Sequence, residues 1–186
     1  MTPLARALAA IDAANAADPT RAAGRPAAAL YGERMSAELA RLFPAASEPL
    51  QIAARGQHVE RWKLARNAYP EGRTGYLAWR IEQGRRHAAR VAQIMADAGY
   101  GADAIAATGR MLRKEGLKRD PDVQALEDTL CFVFLRWYFQ PFAAGRDAAA
   151  LARIVTQTAR KMSPGARARA LAEFDLPEAV AAAFRG

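Results

Sequence analysis

DVQALEDTLCFVFLRWYF, residues 122–139, is the stretch whose reading decides the fold. After Asp128 it is apolar on almost every side, which describes a central helix packed on by others and places one over about 121–139. Glu127 and Asp128 sit in its first half. A carboxylate on a buried helix must be paired, hydrogen-bonded or bound to a metal, so these two need partners.

Outward from this segment nearly every stretch repeats at helical spacing, and no convincing run of alternating β-branched residues occurs. The fold class is therefore all-α. Helices are expected at about 3–17, 27–43, 48–64, 75–98, 102–115, 121–139, 147–162, 164–174 and 177–184. Thr2-Pro3, Ser47 ahead of Pro49, Thr74, Asp120-Pro121 and Ser163-Pro164 supply start signals. Pro44, Gly99, Gly101 and the Gly145 region supply stops. Residues 18–26 and 65–74 are expected to be the long loops. Tyr31, Met35, Leu39 and Leu42 form one core stripe at helical spacing; Leu77, Ile81, Gly84, Ala88, Val91 and Met95 form another.

A chain of 186 residues with 52% hydrophobic content can bury one good core, so a single domain over 1–186 is the expectation. The most apolar run, LCFVFL, is far too short to cross a bilayer, and the N-terminal MTPLARALAAIDAANAADP scans as an amphipathic helix rather than a signal peptide. The single cysteine, Cys131, lies in the apolar run and reads as core, and it excludes an internal disulfide. A soluble cytoplasmic protein without membrane association follows as the expectation. The net charge of +8 and pI near 10.2 favour phosphate-bearing partners, or else record a bias toward Ala and Arg with a solvated basic surface.

Only two histidines occur, His58 and His87. On the third expected helix Ala54, Gln57, His58 and Arg61 stand at i, i+3, i+4 and i+7, a polar stripe where a core helix would show Leu or Val. Tyr76, Arg80, Gln83 and His87 form a similar stripe on the fourth. Brought against Glu127 or Asp128, these would gather two imidazoles, a carboxylate and several guanidinium groups. Imidazole plus carboxylate suits a divalent metal, and Arg suits the phosphate such a metal would activate. The bland alternative is that each His is a satisfied core or boundary residue and that Asp128 ion-pairs with an Arg. No G-x-S-x-G, Walker loop or G-x-G-x-x-G is present.

IDAANAADP (11–19), LYGERMSAEL (30–39), QIAARGQHVERW (51–62), YPEGRTGYLAWR (69–80) and LEDTLCFVFL (126–135) together resemble an uncharacterised family, a domain of unknown function whose members are often labelled glutamyl-tRNA synthetase without having its catalytic domain. More distantly the chain resembles the HD-domain phosphohydrolases, all-α proteins that bind one or two metals through His and Asp. That resemblance implies an orthogonal bundle of about eight or nine helices. It places Tyr31 where the first ligand would be, His58 at the His of the His-Asp pair with Val59 replacing the Asp, His87 at the next His, Asp128 or Glu127 at the last ligand, and Lys114 where a second-metal His would fall.

The expected function is a degenerate HD-like pocket for a phosphorylated or nucleotide ligand, with metal-assisted hydrolysis as an extension. In that reading His58, His87 and Asp128 would hold a divalent metal (Mn, Fe, Zn or Mg). Arg55, Arg61, Arg80 and Arg86 would neutralise phosphate, and Glu127 and His58 would be the catalytic pair, Glu127 as general base. Asp12, Asn15 and Asp18 would border the pocket, or simply end a helix ahead of the Asp18-Pro19 turn. Alternatives are a non-catalytic sensor of a small anion and a nucleic-acid binder, the latter suggested by Trp62, Tyr69, Tyr76 and Trp79 among arginines. A small phosphorylated ligand is favoured over nucleic acid, and oligomeric state is left open.

Overall fold

A computed structural model describes residues 1–145 and 147–185. They are all-α apart from one two-residue hairpin, and they gather into two compact units, Met1–Glu115 and Gly116–Gly186.

The first unit holds α1 (Pro3–Ala16), the hairpin of β1 (Arg21–Ala22) and β2 (Arg25–Pro26), α2 (Ala27–Leu42), α3 (Glu48–Gly56), α4 (Gly72–Asp97) and α5 (Ala102–Arg113). Ile11, Met35, Leu39, Ile52, Val91 and Met95 are fully or almost fully buried in its core. Capping follows the sequence at Thr2, whose hydroxyl accepts from Ala5 N at 3.2 Å, and at Ser47, which accepts from Leu50 N at 3.3 Å. Thr74 is no cap. Instead α4 starts at Gly72 with no side-chain cap, and Gly75 sits where a Cβ would lie 1.9 Å from Pro70 O. Only glycine fits so close to the preceding turn.

Three expectations change here. The loop at 18–26 contains the antiparallel hairpin, whose Ala23 and Gly24 both take positive φ (49° and 74°), as a two-residue type I′ turn requires. Ala is not a signal for that turn, so the sequence did not reveal it. Next, the helix expected over 48–64 ends at Gly56. The chain tightens into turns through 57–60 and closes on Glu60 in a left-handed conformation (φ 52°), whose N–H donates to the side-chain oxygen of buried Asn15 at 3.0 Å. A long-range acceptor on α1 thus captures an N–H that a longer helix would have used itself.

The third change concerns α4. Leu77 and Ile81, expected in the core, are 47% and 59% exposed, whereas Gly75, Trp79, Gln83 and His87 are buried. Periodicity located the helix correctly but favoured the wrong face of its first turns. Trp79 Nε1 donates to Leu64 O at 3.0 Å, and Gln83 Nε2 donates to Arg61 O and Leu64 O at 2.9 and 3.1 Å. Those bonds satisfy carbonyls of an irregular turn, and they turn the polar stripe inward.

The second unit holds α6 (Pro121–Val133), a π-helical turn at Phe134–Tyr138, α7 (Phe139–Ala143), α8 (Ala148–Lys161), α9 (Pro164–Glu173) and α10 (Glu178–Arg185). The π turn divides the single helix expected over 121–139, so ten α-helices are found among the described residues rather than eight or nine. As expected of a central helix, α6 is buried almost all round, including Glu127 (2% exposed) and Asp128 (3%). Asp120, Ser163 and Asp147 cap α6, α9 and α8. Phe132 packs on Phe174 with ring centroids 5.6 Å apart. Among the described residues no helix is long and apolar enough to cross a membrane.

Candidate functional site

The first unit brings His58 and His87 together although they stand on different elements. His58 lies on the turn after α3, with its ring stacked on Tyr31 of α2 at 3.7 Å between centroids and 13° between planes. The His87 ring, from the middle of α4, is 6.2 Å from that of His58. Tyr31, read from sequence as a missing ligand, is therefore a neighbour that fixes the His58 ring by stacking.

Around this pair the charge is of one sign. Burial is the main cause holding His58 well below the usual imidazole range, and the remaining causes are all basic groups: Arg61, His87, Lys114 and Arg80. Burial, then Arg61, lowers His87 from 6.5 to about 3. Both imidazoles are neutral at pH 7, and buried His87 leaves its Nε2 without a hydrogen-bond partner. Burial also lowers the pKa of Arg61, against the opposing influence of Tyr31, with Arg80 adding to the lowering.

The four arginines expected to neutralise phosphate divide into two sets. Arg55 is held bidentately by Asp12, Nε to Oδ1 at 2.6 Å and Nη2 to Oδ2 at 2.7 Å, and Arg86 reaches Glu82 at 3.2 Å. Arg61 and Arg80 have no carboxylate partner among the described residues. The Arg61 guanidinium lies 4.5 Å from the Trp79 ring centroid, and that of Arg80 lies 5.8 Å from Tyr76, whose hydroxyl accepts from it at 3.4 Å. Cation–π contact stabilises such groups but leaves their charge uncompensated.

The acidic cluster near the N-terminus is used inside the fold. Asp12 holds Arg55; Asp18 accepts from Thr20 N and Ala28 N at 2.8 and 2.9 Å; Asn15 secures the Glu60 turn. Asn15 thus positions His58, two residues before Glu60, a role its sequence context did not signal.

Glu127 and Asp128 lie in the second unit, each with partners there. Asp128 Oδ1 accepts from Gln124 Nε2 at 2.9 Å and from Ser163 N at 2.8 Å. Burial raises its pKa, and those hydrogen bonds moderate the rise. Glu127 lies 3.9 Å from the Lys161 ammonium. No group of three or more His, Cys, Asp and Glu side chains among the described residues could hold a metal ion, so in the first unit the two imidazoles find no third donor of those types. The residues present there do not compose a metal centre.

A separate recess of about 150 Å³ in the first unit is lined by residues including Leu8, Leu39, Phe43 and Pro44, with no titratable side chain on its wall. A second, more open recess is lined by Arg66, Asn67, Tyr69, Glu71 and Gly72. Residues 5–183 match a family model described as a domain of unknown function (DUF4202). The chain matches no curated protein and no solved structure.

Proposed function

The chain belongs to the DUF4202 family, and from that premise we propose that it binds a small phosphorylated ligand, a nucleotide among the candidates, at Arg61 and Arg80 beside the neutral pair His58 and His87. One observation carries the reading: these two guanidinium groups are partly buried without a carboxylate, while Arg55 and Arg86 nearby in sequence are neutralised. Desolvating a cation costs free energy that an opposite charge must offset, and a phosphate matches guanidinium geometry bidentately. Neutral imidazoles can donate or accept a hydrogen bond at the ligand without adding charge. The match over 5–183 spans both compact units and supports treating them as one functional domain. The HD-like resemblance enters as a scaffold analogy, since an all-α chain joining His side chains from two segments fits it in kind. The reading takes no step through a metal.

Titration calorimetry and thermal shift with inorganic phosphate, ribose 5-phosphate and nucleoside monophosphates test it, with Arg61→Ala and Arg80→Ala beside the wild type. Saturable binding that both substitutions weaken is the expected result. Equal affinity in both folded variants would sink the proposal. Turnover of the bound ester would instead favour the hydrolase, and a preference for single-stranded oligonucleotides with a steep salt dependence would favour nucleic-acid binding.

A further inference from the structure

We infer that the ligand of this site is a mononucleotide whose base stacks on Tyr76 while its phosphate meets Arg61 and Arg80. The inference rests on the anion-binding reading above and adds to it the planar group that the phosphate carries and the side chain that receives it.

Distances tie these side chains together through Trp79. The Arg61 guanidinium lies 4.5 Å from the Trp79 ring centroid, the Trp79 ring lies 6.0 Å from that of Tyr76 with 37° between their planes, and the Arg80 guanidinium lies 5.8 Å from the Tyr76 ring. Trp79 is closed to a ligand, being 9% exposed with its Nε1–H given to Leu64 O, whereas Tyr76 is 42% exposed. Among the described residues Tyr76 is the only exposed aromatic side chain. The fold covers its other rings and leaves this one open beside guanidinium groups that have no carboxylate partner among the described residues. A nucleotide matches both features, since its base stacks on a ring face and its phosphate pairs with guanidinium.

Room for a base lies next to that ring. Gly72 stands one turn before Tyr76 on the same face of α4, and it belongs to the open recess with Arg66, Asn67, Tyr69 and Glu71. Arg66 holds this loop by donating to Tyr69 O and Pro70 O at 3.0 and 2.9 Å, and Gly75 lets Pro70 pack directly on the first turn of α4. The Asn67 amide and the Glu71 carboxylate put a donor and acceptors on the wall, the groups that a base edge pairs with. One open ring takes one base. A strand binder stacks successive bases on several rings, but Trp62 and Tyr69 are half-buried and Trp79 is buried. Leu77 and Ile81, also exposed on α4, line neither of the two recesses and so do not enclose an acyl chain.

The test uses the full chain in calorimetry, with adenosine 5′-monophosphate and ribose 5-phosphate as paired probes that differ only in the base. The wild type is expected to bind the nucleotide about fivefold more tightly or better, and Tyr76→Leu to bring the two affinities within about twofold of each other. Tyr76→Phe keeps the ring and should retain the preference for the nucleotide. Equal binding of both probes by the wild type, or a preference that survives in folded Tyr76→Leu, overturns the inference while ribose 5-phosphate binding that weakens in Arg61→Ala and Arg80→Ala leaves the anion site standing. Tighter binding of a lysophosphatidate or of a single-stranded oligonucleotide than of the nucleotide overturns it as well. If neither probe binds, or Arg61→Ala and Arg80→Ala bind both as the wild type does, the anion-binding reading fails with it.

Discussion

Each compact unit buries polar side chains, but it satisfies them differently. In the second, the Asp128 carboxylate is met by Gln124 and the Ser163 N–H, and Glu127 has the Lys161 ammonium as counter-charge at 3.9 Å, although its Oε1 accepts no hydrogen bond. In the first, His87 Nε2 is buried without a hydrogen-bond partner, and Arg61 and Arg80 have no carboxylate partner among the described residues. The two sets read alike in sequence, as charged residues on helices with apolar surroundings. The difference teaches that burial of polar groups does not by itself mark a site; charge left without a counter-charge is the sharper sign.

Asp128→Ala should test the structural side of that contrast most severely. It removes the acceptor of Ser163 N and one of the two acceptors of Gln124 Nε2, and about 3 kcal/mol of stability should be lost in denaturant unfolding, with phosphate affinity unchanged at temperatures where the variant is folded. A loss of ligand affinity in that folded variant would dissolve the distinction between the two clusters.

Arg61→Ala probes the unbalanced side. Phosphate-ligand affinity should fall by about 2 kcal/mol in calorimetry, whereas stability should drop by no more than about 1 kcal/mol, the worth of its contact with Trp79.

The pH dependence sharpens the contrast further. His87 titrates near 3 in the folded chain against 6.5 ordinarily, so the unfolded chain binds its proton first as pH falls. Stability should therefore decline from about pH 6.5 downward toward the folded value, by about 1 kcal/mol between pH 6.5 and 5.5 for this group. Asp128, raised above its ordinary range, works in the opposite direction and keeps its part in a His87→Leu variant. Thermal unfolding of that variant should lose the His87 contribution to the slope; an unchanged slope would mean that His87 is not buried as a neutral group.

The smallest effect belongs to Arg86→Ala. Its exposed pairing with Glu82 predicts a stability change within about 0.5 kcal/mol, and ligand affinity should match the wild type. A tenfold loss of affinity would return Arg86 to the phosphate-binding set.

Much of the scaffold was legible because helix signals are local. Ser47, Asp120 and Ser163 cap the helices the sequence placed after them, and α2, α5, α6 and α9 start where the pattern put them. The early end of α3 was not legible, because it depends on Asn15, 45 residues before the Glu60 N–H it accepts from. Nor was the exposure of Leu77 and Ile81, since the carbonyls that draw Trp79 and Gln83 inward belong to a turn 15 to 22 residues away. Of the residues in the proposed site, both histidines, Arg61 and Arg80 were named from residue type and spacing. Which arginines were already neutralised was not, because Asp12 lies 43 residues from Arg55.

The sequence by itself determined an all-α chain, most helix boundaries, the basic charge and the short roster of side chains able to do chemistry. Those properties follow from periodicity, caps and composition, each contained in a window of a few residues. Tertiary structure alone decided that Tyr31 stacks on His58, that Asp128 is spent on Ser163, and that Arg61 and Arg80 keep uncompensated charge beside neutral imidazoles. Pairing of charges and desolvation depend on distances across the fold, and no local pattern encodes which partner arrives first.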